Sequence, residues 1–184
     1  MERTTMSVKH DAGVQTRQKL LRAAIEQIRT SGITGLTLDA VAKEAGVSKG
    51  GLLHHFPSKD ALVNGLIRQF FANFEERVRA YYERDEESKG QWTRAYVQAT
   101  FDDAPVLLEL LLVSTLNDEL MKLIRDDFDH WNQRLLNDEI SPVRATIIRQ
   151  SADAYWTERI IQPEIDPALR AALRDELLRM TKEA

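Results

Sequence analysis

The chain predicts an all-α protein of about nine helices in two parts, and three observations carry that reading. Apolar residues recur at intervals of three and four in almost every segment. Alternation of the strand type appears nowhere, and glycines, prolines and small polar residues fall where helices should stop and start. With 184 residues the chain is long enough for one domain, or for a small one plus a medium one. It has no cysteine, which excludes a disulfide framework and thiolate chemistry and suits a reducing cytoplasm. The polar start lacks a signal-peptide core, and no apolar run approaches ~18 residues, so no membrane span is expected.

Residues 1–15 are polar and aperiodic and contain Gly13, which predicts a disordered arm. From Thr16 to Ser31, Leu20, Leu21, Ala24, Ile25 and Ile28 form one stripe, with Gly32 as the stop. Leu38, Val41, Ala42 and Ala45 then fall at i, i+3, i+4 and i+7, with Thr37 as N-cap. Gly46 suits the left-handed residue after that helix, and Ser48 caps a second one, in which Leu52 and Phe56 face inward. Two short helices this close together read as a helix-turn-helix, and residues 16–62 as a DNA-binding domain.

Residues 63–184 are read as a second helical domain. Pro57 ends the reading helix and Ser58 starts a long one reaching about Arg84, with Leu62, Leu66, Phe70, Phe74 and Val78 recurring every four. The run from Arg84 to Gly90, RDEESKG, reads as a solvated loop. Further helices are expected around Trp92 to Phe101, over the leucine-rich Val106 to Thr115, from Asn117 or Asp118 through Leu135, from Val143 to about Gln162, and after Pro167. The net charge of −4 divides into +3 over residues 1–62 and −7 over the rest. A basic first domain and an acidic second one fit a partner carrying phosphate.

The order from Gly35 to Leu62, GLTLDAVAKEAGVSKGGLLHHFPSKDAL, resembles the signature of TetR-type transcriptional regulators. The likeness covers about the first 65 residues. It implies a ligand-responsive regulator, in the usual case a repressor, that binds a palindromic double-stranded DNA operator as a dimer and is released by a small molecule. Thr37 and Ser48 stand at helix starts, where a hydroxyl and free N–H groups favour a phosphate, although capping alone also explains them. Lys59 opposes the dipole of the helix it begins, and the resemblance gives it a contact to the DNA backbone. The same resemblance puts Lys49, Gly50, Gly51, Leu53, His54 and His55 at or near the major groove. Gly51 and Leu53 depart from the polar residue and the tyrosine common at those positions.

In the second half, Phe74, Trp92, Tyr96, Phe128, Trp131 and Trp156 are the candidates for lining a site for a small apolar or aromatic ligand; aromatics at helical spacing are otherwise core. A homodimer is expected through the last two helices, with Ala145, Ile148, Ala152, Tyr155, Leu169, Ala172, Leu173, Leu177 and Met180 toward the mate. Asp126 and His130, at i and i+4, are a weak metal pattern and read as part of a solvated acidic face. Neither a nucleophile–base pair nor a phosphate-cradling glycine loop is present, so no enzyme, cofactor or metal is expected. A DNA-binding regulator without small-molecule input is the alternative, and a metal-dependent sensor a weaker one.

Overall fold

The computed structural model describes residues 2–102, 118–161 and 166–182, with side chains described from residue 12 onward except in parts of 156–161. The helices are α1 (Glu2–Ser31), α2 (Leu38–Glu44), α3 (Lys49–His55), α4 (Lys59–Tyr82), α5 (Gln91–Phe101), α6 (Asp118–Leu136), α7 (Pro142–Ile161) and α8 (Pro167–Met180), with a 3-10 turn at Ile33–Gly35. Among the described residues there is no strand. The helix expected over Val106 to Thr115 and the side chain of Trp156 lie outside the described residues. The chain divides into two compact units, Met1–Gln69 and Phe70–Ala184, with α4 beginning in the first and ending in the second.

α1 begins at Glu2 where a disordered arm was expected. Gly13 is a weak former rather than a stop, and Thr16 Oγ1 donates to the Ala12 carbonyl at 2.9 Å within the helix. Farther along, Leu20, Leu21, Ala24 and Ile28 are buried as their spacing requires. Leu36, Val41, Ala42, Leu52, Phe56, Leu62 and Leu66 of the first unit are buried as well.

The second unit is built around α5, which packs against α6, α7 and α8. Its start is capped from a distance. Gly90, at φ 75°, occupies the N-cap position without a side chain to serve there, and Asp138, 45 residues beyond Thr93, takes over. The Asp138 carboxylate accepts from Trp92 N at 3.1 Å and from Thr93 N and Thr93 Oγ1 at 2.7 Å each, and its carbonyl accepts from Gly90 N at 2.8 Å. Burial pushes the carboxyl upward while these donors oppose the shift.

The RDEESKG run is likewise more tightly held than a solvated loop. It wraps the buried guanidinium of Arg94, which donates from Nε to Asp85 at 2.6 Å, from Nη1 to the Lys89 carbonyl at 2.7 Å and from Nη2 to the Glu87 carbonyl. Burial alone would raise the Asp85 carboxyl, but Arg94 and the Glu87 N–H outweigh it and hold Asp85 below its ordinary value.

The face assigned to self-association is corrected in part. Ala145, Ile148, Ala152, Tyr155 and Leu177 are buried within the chain, in the core with Phe74, Val78, Val97 and Leu135. An apolar stripe reports that it is covered, not by which molecule. Among the described residues, the large apolar side chains that α7 and α8 leave exposed are Val143, Ile147 and Leu169.

Replacing Asp138 by Ala strands two backbone donors and a buried hydroxyl, so a loss of about 2–4 kcal/mol is expected in urea denaturation. Thr93→Val removes only one of those bonds and should cost about 1 kcal/mol. Equal losses from the two variants would contradict the capping role.

Candidate nucleic-acid interface and ligand-binding residues

Local chemistry builds the helix pair of the first unit. Thr37 Oγ1 accepts from Ala40 N at 3.2 Å and Ser48 Oγ accepts from Gly51 N at 3.1 Å, so each hydroxyl caps its helix with an oxygen lone pair. The hydroxyl hydrogen stays available to an outside acceptor. Between the two helices, Val47 N donates to the Ala42 carbonyl at 2.9 Å and Gly46 N to the Lys43 carbonyl at 3.2 Å, with Gly46 at φ 65°. This is a Schellman turn, and its left-handed residue is the one a glycine adopts without strain.

On α3 the side chains divide as the periodicity requires. Leu52 is fully buried, His55 is half-buried, and Lys49, Gly50, Leu53 and His54 are exposed. The imidazoles of His54 and His55 lie edge to face, 5.4 Å apart. Gly50 faces open space, whereas a Cβ on Gly51 would come within 2.9 Å of Val47 Cγ1 and 3.2 Å of Ser48 Oγ. Packing inside the turn thus already accounts for one of the two glycines.

Two cations of this surface have internal partners. Lys49 Nζ is 2.9 Å from Asp39 Oδ1, an ion pair whose side chains are 64% and 70% exposed and which therefore stabilises the fold by less than about 1 kcal/mol. Lys59 Nζ donates to the Ile33 carbonyl at 3.2 Å, tying the first turn of α4 to the 3-10 turn. That bond gives the cation an internal reason to sit at a helix start.

Sequence reading overlooked Gly65. The buried Phe56 ring at the end of α3 rests on it, so a Cβ there would approach Phe56 Cε1 to 2.6 Å. The Arg17 guanidinium covers the same ring at 5.2 Å from its centroid. The available signal was a lone glycine between Leu62 and Leu66 in an otherwise well-formed helix. Gly65→Ala should destabilise the protein by about 1–3 kcal/mol in a thermal melt although alanine is the better helix former, because Phe56 must move. A rise in Tm would disprove that contact.

The candidate aromatics with described side chains do not share one cluster. Phe74, Tyr96 and Trp131 are buried against one another, with ring centroids 5.2 to 5.5 Å apart. Trp92, partly buried at the border of that core, stacks on Tyr82 at 3.8 Å, with the Arg134 guanidinium 4.2 Å from its centroid. Phe128 is 49% exposed, at the edge of the α6 stripe formed by Leu120, Ile124, Trp131 and Leu135. Two clefts described in this unit, of about 290 and 400 Å³, are lined instead by Tyr81, Phe101, Asp102, Arg170 and Arg174 among others.

Asp127 belongs by sequence to the acidic run expected to be solvated, yet it follows Leu120 and Ile124 and precedes Trp131 on the buried side of α6. Burial, with Glu75 and Asp153 nearby, pushes its carboxyl up to about 7. Each of those two carboxylates has donors. Arg79, His130 and Arg134 meet Glu75 at 3.0, 3.2 and 3.1 Å, while Tyr96 and Arg149 meet Asp153 at 2.6 and 2.7 Å. His130 is thus engaged with Glu75, and the described residues hold no group of three or more metal-ligating side chains.

Because the folded state raises the Asp127 pKa, this group's contribution to stability is complete below about pH 4 and is lost as pH rises through about 7. Asp127→Asn should therefore raise stability at about pH 8 by about 2 kcal/mol, after discounting for partial solvent screening, and change it little near pH 4. Paired thermal melts check this. An equal effect at both pH values would contradict it.

Comparisons with known proteins agree with this geometry. Residues 90–182 match the model of the tetracyclin repressor-like C-terminal domain, and residues 20–66 that of bacterial regulatory proteins of the tetR family. Over 90 residues the chain is 33% identical to the HTH-type transcriptional regulator BetI of Stenotrophomonas maltophilia, covering 49% of this chain and 46% of that one. It is 30% identical over 133 residues to BetI of Burkholderia cenocepacia, covering 67% and 65%. The chain spans about half the length of the first of these relatives.

A transcriptional regulator from Pseudomonas aeruginosa PAO1 superposes with a TM-score of 0.72 at 17% identity, covering 90% of this chain and 89% of that one. The multidrug binding protein EbrR, solved with ethidium, superposes with a TM-score of 0.65 at 22% identity, covering 90% and 97%. Likeness at these identities establishes the fold. Among the described residues no helix is long and apolar enough to cross a membrane.

Proposed function

We propose that this chain, which belongs to the TetR family of DNA-binding bacterial regulatory proteins, represses transcription as a homodimer and releases its operator when a small apolar or aromatic molecule enters the second unit. The observation that carries the reading is α4. It is one uninterrupted helix from Lys59 to Tyr82, starting just after the capped α2–α3 pair and carrying Phe74 of the aromatic cluster. Ligand binding that biases α4 changes the spacing of the two reading helices in the dimer. A coupling of about 1–3 kcal/mol lowers operator affinity 5- to 150-fold.

Thr37, Ser48 and Lys59 serve the phosphates in this reading, and Lys49, Gly50, Gly51, Leu53, His54 and His55 face the bases. The Lys49–Asp39 pair is weak enough to exchange for a guanine or phosphate acceptor. Dimerisation uses the outer faces of α7 and α8, where Val143, Ile147 and Leu169 are exposed. The close mutual packing of Phe74, Tyr96 and Trp131 favours a second reading, a regulator without small-molecule input, for which these rings are core alone.

Selection of bound sequences from random DNA should return a palindrome with half-sites ~34–36 Å apart. Against that sequence, Lys49→Ala and His55→Ala should each relax preference by about 1–3 kcal/mol at one base pair. Lys59→Met should weaken binding to all sequences and flatten the salt dependence. Selectivity unchanged in both α3 variants would reject the base-reading role. Val143→Asp combined with Leu169→Arg should convert the dimer to a monomer in sedimentation. A titration in which saturating bound ligand leaves operator affinity unchanged would leave the second reading standing.

A further inference from the structure

One side chain of the second unit is left in an unusual state. Arg77, on α4, has both Nε and Nη2 buried, and neither has a hydrogen-bond partner. Its guanidinium carbon lies 5.7 Å from the centroid of the Phe74 ring. Arginine keeps its proton inside proteins, so burial leaves a full positive charge with N–H groups unmet, where nearly all buried polar groups find partners.

The identity of the two nitrogens matters. Nε and Nη2 form one edge of the planar guanidinium, their N–H bonds run parallel, and the two oxygens of a carboxylate match that spacing. The surroundings select further. Phe70, Phe74, Arg77 and Tyr81 recur at i, i+4, i+7 and i+11 and share one face of α4, with the Phe70 and Phe74 rings parallel at 6.3 Å. Glu75 lies two residues before Arg77 and on a different face, where Arg79, His130 and Arg134 already engage it.

We infer that Arg77 anchors the carboxylate of a small aromatic acid, gripping it through the Nε–Nη2 edge while the ligand's ring lies on the side of the partly buried Phe70. The assignment rests on the ligand-responsive reading above and names the chemical class of the ligand. A neutral or cationic aromatic of the same shape leaves the two donors unmet and binds more weakly.

The test uses the full chain with 1-naphthoate, 1-naphthamide and 1-naphthylmethylammonium as probes, followed by tryptophan fluorescence and by the shift in Tm. Naphthoate should bind the wild-type protein at least about tenfold more tightly than the amide or the ammonium compound. Arg77→Met should lose that advantage while its affinity for the amide is unchanged, and Arg77→Lys, which keeps charge without the paired N–H edge, should fall between. Without ligand, Arg77→Met should keep its Tm or raise it, because unmet donors are removed.

The assignment is overturned if naphthoate fails to bind the wild-type protein, if it binds Arg77→Met equally well, if the amide binds as tightly as the acid, or if Arg77→Met alone lowers Tm by more than a few degrees. Operator release is scored separately. Release by the amide or the ammonium compound but not by the acid removes the anchor and leaves the ligand-responsive regulator. Binding of the acid through Arg77 without any release keeps the anchor and removes the response.

Discussion

The presentation of α3 depends on Phe56 resting on the bare backbone of Gly65. The ring closes the core beneath Leu52, is covered from α1 by Arg17, and stands where the chain turns through Pro57 into α4. Through this one contact three helices fix the orientation of a seven-residue helix too short to be stable alone. The caps at Thr37 and Ser48 and the Schellman turn at Gly46 set where α2 and α3 begin and end. Phe56 and Lys59 fix how that pair sits on its supports. A surface that must match a groove needs both kinds of constraint, because a well-formed helix at the wrong tilt reads nothing.

The second unit solves a different problem. Its helices are rich in charge, yet Asp138, Arg94, Asp153 and Asp127 are wholly or partly buried. Asp138 and Arg94 are surrounded by partners and fasten loops to α5. Asp153 is shared by Tyr96 and Arg149, and burial still pushes its carboxyl above the ordinary value. Asp127 faces two other carboxylates, and Arg77 holds two unmet N–H groups. Stability is concentrated at Asp138 and Arg94 and withheld at Asp127 and Arg77, an arrangement often found where a protein must respond to something.

What the sequence made legible follows the range of the interactions. Thr37, Gly46 and Ser48 were readable because capping and left-handed turns are decided within five residues. The stripe of Leu20, Leu21, Ala24 and Ile28 was readable because period alone reveals a buried face. Asp138, Arg94 and Gly65 were not, since each draws its meaning from a partner on another helix. The same limit explains Ala145, Ile148, Ala152 and Tyr155, whose spacing announces a covered face without saying whether the cover is the same chain or a second copy. Asp127 was the avoidable miss, because helical spacing alone puts this carboxylate in line with Leu120, Ile124 and Trp131. Phe128 is exposed for the converse reason, as an aromatic at the edge of a stripe is not held inside it.

The capping of α5 by Asp138 bears on how the second unit reaches its native state. A helix that begins at a glycine and receives its cap from 45 residues downstream cannot be completed while that downstream segment is still unfolded. Closing such a loop costs entropy before the capping bonds return anything, so α5 is a late and cooperative product rather than a local nucleus. During synthesis the ribosome must release α6 and the turn that follows it before α5 can settle. The Ala95, Val97 and Ala99 surface of α5, buried in the folded chain, has its full cover only once those segments have docked.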